Sequence, residues 1–198
     1  MASPKTLAEL AGLQLAPTAL NKSALLMIDC QNTYLHGPMR LVGVEQALDK
    51  TLRVLDQARQ VSAPIFHIAH DAGPGSLYDV QGESGATATA VAAVGNEPTI
   101  IKNYPNSFAH TELHERLQAL GINNLIIVGF MTHMCISSTA RGAQDLGYQT
   151  TVIESATATR DLPTADGRVL AADQLKRASL AGLSDLVSSV VNSVDDLP

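Results

Sequence analysis

The chain has 198 residues, 45% of them hydrophobic, and a formal net charge of −6, a length that suits a single buried core. No basic stripe runs along it, which argues against a nucleic-acid partner, and no apolar run approaches the roughly 18 residues that a membrane span needs. Two cysteines, Cys30 and Cys135, are too few for a disulfide framework, and neither CxxC nor a His/Cys cluster at zinc-finger spacing occurs. The opening segment MASPKTLAELAGLQLAP has no sustained apolar core before a small-residue cleavage site. The expectation is a cytoplasmic protein with reduced thiols.

Residues 1–22 read as an arm leading into one domain over 23–198. The run ALLMID (24–29) is apolar on both faces and stops at a carboxylate, the pattern of a central parallel strand. CQNTYLHGP (30–38) is a loop. Val44, Ala47, Leu48, Leu52, Leu55 and Ala58 have helical spacing over 44–61. PIFHIAH (64–70) is the next strand, with Pro64 at its first position, where a missing N–H is tolerated. Residues 71–98 are rich in Gly, Ala, Ser and Thr and suggest only a short helix at 86–93. Such a stretch is either a functional loop or a flexible excursion.

PTIIK (98–102) is a short strand ending on a lysine. Leu113, Leu117 and Leu120 stripe a helix that Gly121 stops. NLIIVGF (124–130) is the most strand-like run, and Ile136, Ala140, Ala143 and Leu146 fit a helix closed by Gly147. YQTTVIES (148–155) is a strand, a helix lies near 171–181, and DLVSSVV (185–191) is the last strand. The alternation predicts a three-layer α/β fold around a mainly parallel sheet. Such sheets bind ligands at the carboxyl ends of their strands.

That rule joins three residues. Asp29 ends the first strand, Lys102 ends the third, and Cys135 follows the fourth at the opening of a helix. A thiol attacks an acyl carbon as thiolate, and free cysteine titrates near ~8.5. A helix N-terminus and a nearby ammonium lower that value. A carboxylate can take the thiol proton and return it to a leaving amine. Each residue also has a plainer use: Asp29 as a turn cap, Lys102 as a solvated surface charge, Cys135 as small core filling.

ALLMIDCQNTY (24–34), IIKNYPNSF (100–108) and LIIVGFMTHMCISSTARGAQDLGY (125–148), in that order, resemble the isochorismatase-like cysteine hydrolase superfamily over roughly residues 23–191. The most specific part is Gly129, two apolar residues, Thr132, two variable residues, Cys135, and then Thr139. The resemblance implies a Rossmann-like α/β/α fold with six parallel strands and a tendency to form homo-oligomers. It implies Asp29, Lys102 and Cys135 as the catalytic set and a cis peptide between Phe130 and Met131. It also implies an oxyanion hole made by the Met131 and Cys135 N–H groups.

Departures from the pattern are informative too. Nicotinamidases in the superfamily carry a metal site built around Asp-x-His, and FHIAHDAGPG (66–75) has none. Neither a metal nor another cofactor is expected. Isochorismatases proper lack the nucleophilic cysteine, so its presence points to acyl chemistry on a C–N bond. The expected activity is hydrolysis of a small amide, lactam or carbamoyl substrate through a thioester. The alternatives are a vinyl-ether hydrolase using Asp29 as its acid, or a binding protein without catalysis.

Around the three residues, Tyr34 and Phe108 are expected as apolar pocket walls, though Phe108 can equally staple the next helix. His133 either binds substrate or stands exposed in the first helical turn. Ser107 is a candidate helix N-cap, and Thr139 a support for the backbone near Cys135. His67 and His70, three apart on a strand, point to opposite faces, and Cys30 reads as filling.

Overall fold

The computed structural model describes residues 3–198. In chain order the regular elements are α1 (Leu7–Leu10), β1 (Ala24–Ile28), α2 (Val44–Gln60), β2 (Ile65–His70), β3 (Thr99–Lys102), α3 (Leu113–Ala119), β4 (Asn124–Phe130), α4 (Ser137–Asp145), β5 (Gln149–Ala158), β6 (Leu162–Pro163), β7 (Val169–Leu170), α5 (Ala172–Ser184) and β8 (Ser189–Val191). Six strands form one sheet in the order β3-β2-β1-β4-β5-β8, and every pairing is parallel. The chain works outward from β1 to β3, then returns to β4 and works outward on the other side. The order therefore reverses between β1 and β4, and the crevice for a ligand opens above their carboxyl ends.

Strand periodicity makes the three layers. Leu25 and Met27 of β1, with Ile126 and Val128 of β4, point to the side of α2, where Val44, Ala47, Val54, Leu55 and Ala58 meet them. Leu26 and Ile28, with Leu125 and Ile127, point to the other side, where α3 presents Leu113 and Leu117, α4 Ala140 and Ala143, and α5 Leu180 and Leu183. Both faces of the central strands are covered, so they read as unbroken apolar runs.

Several boundaries differ from the sequence expectation. β5 continues to Ala158, because its register with β4 shifts between Ile127 and Gly129 and lets it run on beside Phe130. Gly129 has φ +113°, and a Cβ there would lie 2.0 Å from Ile28 O, so only glycine lets β4 pass β1 this closely. The suggested helix at 86–93 is a single 3-10 turn, Thr89–Val91. The last strand keeps only Ser189–Val191 of 185–191. The antiparallel pair β6 and β7 is two residues long on each side and leaves no periodic trace in the sequence. Residues 3–22 run along the domain. The N–H groups of Leu7 and Ala8 donate to the Asp185 side chain (2.7 Å) and carbonyl (2.9 Å), and Leu20 joins the core on the α2 side.

Candidate active site

Three strand ends and one helical turn build the site. Asp29 leaves β1 with φ 49°, a left-handed turn uncommon for a residue with a side chain, while its N–H donates to Ile68 O at 2.9 Å. Lys102 is the last residue of β3, in register with His70 of β2. After β4, a cis peptide joins Phe130 to Met131, and a π-helical turn, Thr132–Ile136, carries Cys135 before α4 begins. The Thr132 hydroxyl anchors that turn to β5, 2.9 Å from Thr157 Oγ1 and 3.1 Å from Ala158 O.

These elements bring Asp29, Lys102 and Cys135 together. Lys102 Nζ donates to Asp29 Oδ2 at 2.7 Å and to Cys135 Sγ at 3.4 Å. The Lys102 and Asp29 side chains are wholly buried, and Cys135 keeps 5% of its surface exposed. Asp29 Oδ1 is also buried, with no hydrogen-bond partner. Lys102 Nζ also lies 3.4 Å from His70 Nδ1. An ammonium only donates, so a hydrogen bond here requires that nitrogen to be unprotonated. Burial, reinforced by the Lys102 charge, holds the His70 imidazole below its ordinary range.

The ionisation of the sulfur departs from expectation. Burial, with the Asp29 charge adding to it and Lys102 opposing, pushes the Cys135 thiol up to about 12. Burial also raises the Asp29 carboxyl, against the pull of Lys102. The direction of the Cys135 shift favours the thiol over a lasting thiolate in the resting site. The thiol proton has an acceptor close by in Asp29.

Tyr34 is buried and packs edge-on to Phe130 (5.9 Å between centroids) and to Tyr78 (5.8 Å). Tyr78 in turn meets the His70 ring at 5.0 Å. Met131 is buried at the start of the Cys135 turn. His133 is half-buried rather than exposed, its Nδ1 held 2.5 Å from Thr159 Oγ1. Phe108 is partly buried against the core cluster that includes Cys135, and its ring stacks on Tyr148 at 5.6 Å. Ser107 caps no helix, since α3 starts only at Leu113. Its N–H donates instead to Thr139 Oγ1 at 3.0 Å, joining this loop to α4. Cys30 is buried on the α2 side as filling.

Two site residues escaped the sequence reading. Gln31 is fully buried, donates to His70 O (2.8 Å) and Gly85 O (2.6 Å), and accepts from His70 N (3.0 Å). It fastens the β1 loop to β2 and to the 71–98 segment, which also pairs its backbone with Asn32 and Thr33 through Ala86 and Ser84. Tyr78 reaches the site on that segment. The only available signal was a buried-type polar residue two positions after Asp29. His67 lies apart from the three residues, bound to Glu97 at 2.8 Å, with Glu97 also held by Arg59 at 2.7 Å. Among the described residues no three or more His, Cys, Asp or Glu side chains gather as a metal site.

Comparison with known proteins places this geometry. The family model described as Isochorismatase domain matches residues 23–188. The crystal structure of an isochorismatase from Pseudomonas putida is similar at a TM-score of 0.94 and 38% identity, over 99% of this chain and 100% of that one. An uncharacterized isochorismatase family protein of Bacillus subtilis, YddQ, is 34% identical over 85% of this chain and 94% of its own length. A secreted isochorismatase effector of Verticillium dahliae is 31% identical over 93% and 95%. Some relatives are named for their reactions, among them a nicotinamidase of Arabidopsis thaliana, 28% identical over 69% of this chain and 73% of its own length. A streptothricin hydrolase of Streptomyces noursei is 30% identical over 72% of this chain and 51% of its own, and a maleamate amidohydrolase of Pseudomonas putida is 28% identical over 67% and 70%. With the family model covering most of the chain, these likenesses show that the protein belongs to the isochorismatase family of hydrolases.

Proposed function

We propose that the protein hydrolyses the C–N bond of a small amide, lactam or carbamoyl compound through a thioester on Cys135. The observation that carries this reading is the single ammonium shared by a carboxylate and a thiol, 2.7 Å from Asp29 Oδ2 and 3.4 Å from Cys135 Sγ. The name of the maleamate amidohydrolase supports the bond type.

In this mechanism Asp29 takes the thiol proton as the sulfur forms its bond to the carbonyl carbon. Lys102 steadies the negative charge while it passes between carboxylate and sulfur. The oxyanion is received by the N–H groups of Met131 and Cys135, where losing one such donor typically costs about 100- to 1000-fold in rate. Protonated Asp29 then delivers its proton to the nitrogen, the C–N bond breaks, and the amine leaves. Water attacks the thioester, Asp29 accepts its proton, and the acid departs as that proton returns to sulfur. Tyr34, Tyr78 and His133 shape the space for the substrate.

The raised pKa of Asp29 also favours a second reading, in which the carboxyl is a standing acid that protonates a vinyl ether without the thiol. A screen of small amides, lactams and ureides for released amine or ammonia, with the Cys135→Ala protein as blank, separates the two. The amidase reading expects turnover that falls at least about 10³-fold in Cys135→Ala and after iodoacetamide treatment. Turnover that survives the Cys135→Ala change would contradict it.

A further inference from the structure

At the amino edge of the sheet, opposite the strand ends that carry Asp29 and Lys102, a cavity of about 640 Å³ lies among the last turns of α2 and α3 and the starts of β2 and β3. Pro64, Phe66, Pro98 and Leu120 give it apolar walls, and its charged lining residues are Arg59, Arg116 and Glu97. Phe66 precedes His70 by four positions along β2, about 13 Å of strand at ~3.3 Å per residue, so the cavity is separate from the three residues at the carboxyl edge. Small-molecule sites run to about 300–1,000 Å³ and are mostly apolar, with a few polar groups that orient the ligand. The size and lining here match that description.

The charges in the cavity are unevenly committed. Glu97 is used within the chain: its oxygens accept from Arg59 Nε (2.7 Å), Arg59 Nη2 (2.9 Å) and the Val94 N–H (3.0 Å), and one lies 2.8 Å from His67 Nε2. Each guanidinium has five N–H donors and stays charged at every working pH. Arg59 gives donors to Glu97 and to Ala92 O (3.0 Å), while its Nη1 stands 4.0 Å from Asp56 Oδ1, too far for a hydrogen bond. Among the described residues the one carboxylate partner of Arg116 is Glu112, a turn earlier on the exposed face of α3, at 2.8 Å. Cationic donors are thus in surplus while the lining carboxylate is spent, and the complement of such a lining is an apolar body with one anionic head. A second copy meeting this face symmetrically would set the same arginines against each other.

We infer that this cavity is a second ligand site, distinct from the chemistry at Cys135, and that it takes a small apolar monocarboxylate, an aryl or branched-alkyl acid. The carboxylate pairs with Arg59 and Arg116, and the body packs against Phe66 and Leu120.

The test compares 3-phenylpropionate with 3-phenylpropanamide, which share a body and differ in the charge of the head. Binding is followed by calorimetry on the full chain, before and after Cys135 is alkylated with iodoacetamide. The acid should bind equally to both forms, about 10- to 100-fold tighter than the amide. Arg116→Leu should cut that preference at least about fivefold. Ala119 lines the cavity from an exposed position, and Ala119→Trp, which sets a ring in the mouth, should weaken acid and amide alike at least about tenfold. Thermal melting and light scattering control for folding and assembly. Equal affinity for acid and amide, no measurable binding of either at millimolar concentration, acid binding abolished by alkylation of Cys135, or acid binding unchanged by both substitutions would overturn the inference. A changed assembly state in Ala119→Trp, with no acid bound by the parent protein, would overturn it too and assign this face to a contact between copies.

Discussion

Lys102 has a wholly buried ammonium whose partners are one carboxylate, one thiol and the imidazole of His70. Removing it strands the Asp29 charge in the interior. Lys102→Met is expected to lower unfolding free energy by about 3–5 kcal/mol, and Asp29→Asn/Lys102→Met to recover most of that loss, measured by urea denaturation. A double variant no more stable than Lys102→Met would contradict the pairing. The pH profile follows from the same neighbourhood. Burial raises the Asp29 carboxyl above its usual 3.8, so the base is lost as pH falls through that raised value. For the amidase, kcat/KM should therefore drop on the acid side with a midpoint above 3.8, assigned to the coupled Asp29–Cys135 pair. A rate that instead falls as pH rises through that region would favour acid catalysis on a vinyl ether. The three residues were legible in the sequence because each closes or follows a strong strand pattern. The charge on the sulfur was not, because helix and lysine were weighed there without the burial that outweighs them.

Among the elements, the 71–98 segment is the part whose form the sequence concealed. Its residues have neither period, and their place is set by backbone bonds to Asn32, Thr33 and Cys30 and by the amide of Gln31. Tyr78 reaches the site only through those long-range contacts, which explains why it was missed. Gln31→Leu leaves the backbone groups of His70 and Gly85 without their partner. Faster hydrogen exchange across 76–88 and at least about a tenfold loss of kcat/KM are expected, in keeping with groups placed a fraction of an ångström off. Exchange identical to the parent protein would mean the segment is held without Gln31. Phe108 shows a similar long-range tie: its ring stacks on Tyr148, forty residues further along the chain.

Over the whole molecule, the alternation of strands and helices implied a mainly parallel sheet between two helical layers, though not its strand order. Nor did it imply the long-range ties that lock the sheet's edges. At one of them Arg59 of α2, Glu97 before β3 and His67 of β2 form a chain of ion pairs and hydrogen bonds. Arg59, then the Val94 N–H and His67, hold the Glu97 carboxyl down at about 2 against its burial. Because its folded value lies below the unfolded one, the stability it contributes is present above about 4.5 and is lost as pH falls towards about 2. Glu97→Gln should flatten that acid limb of the unfolding curve, and an unchanged limb would remove the triplet from the account. No helix among the described residues is long and apolar enough to cross a membrane.

The most direct measurement is intact-protein and peptide mass spectrometry on enzyme quenched in acid during turnover of an amide found by the screen. The account predicts an added mass equal to the acyl group, on the peptide containing Cys135 and released by hydroxylamine. Rapid turnover by enzyme that never carries that mass, with Cys135→Ala equally active, would contradict it.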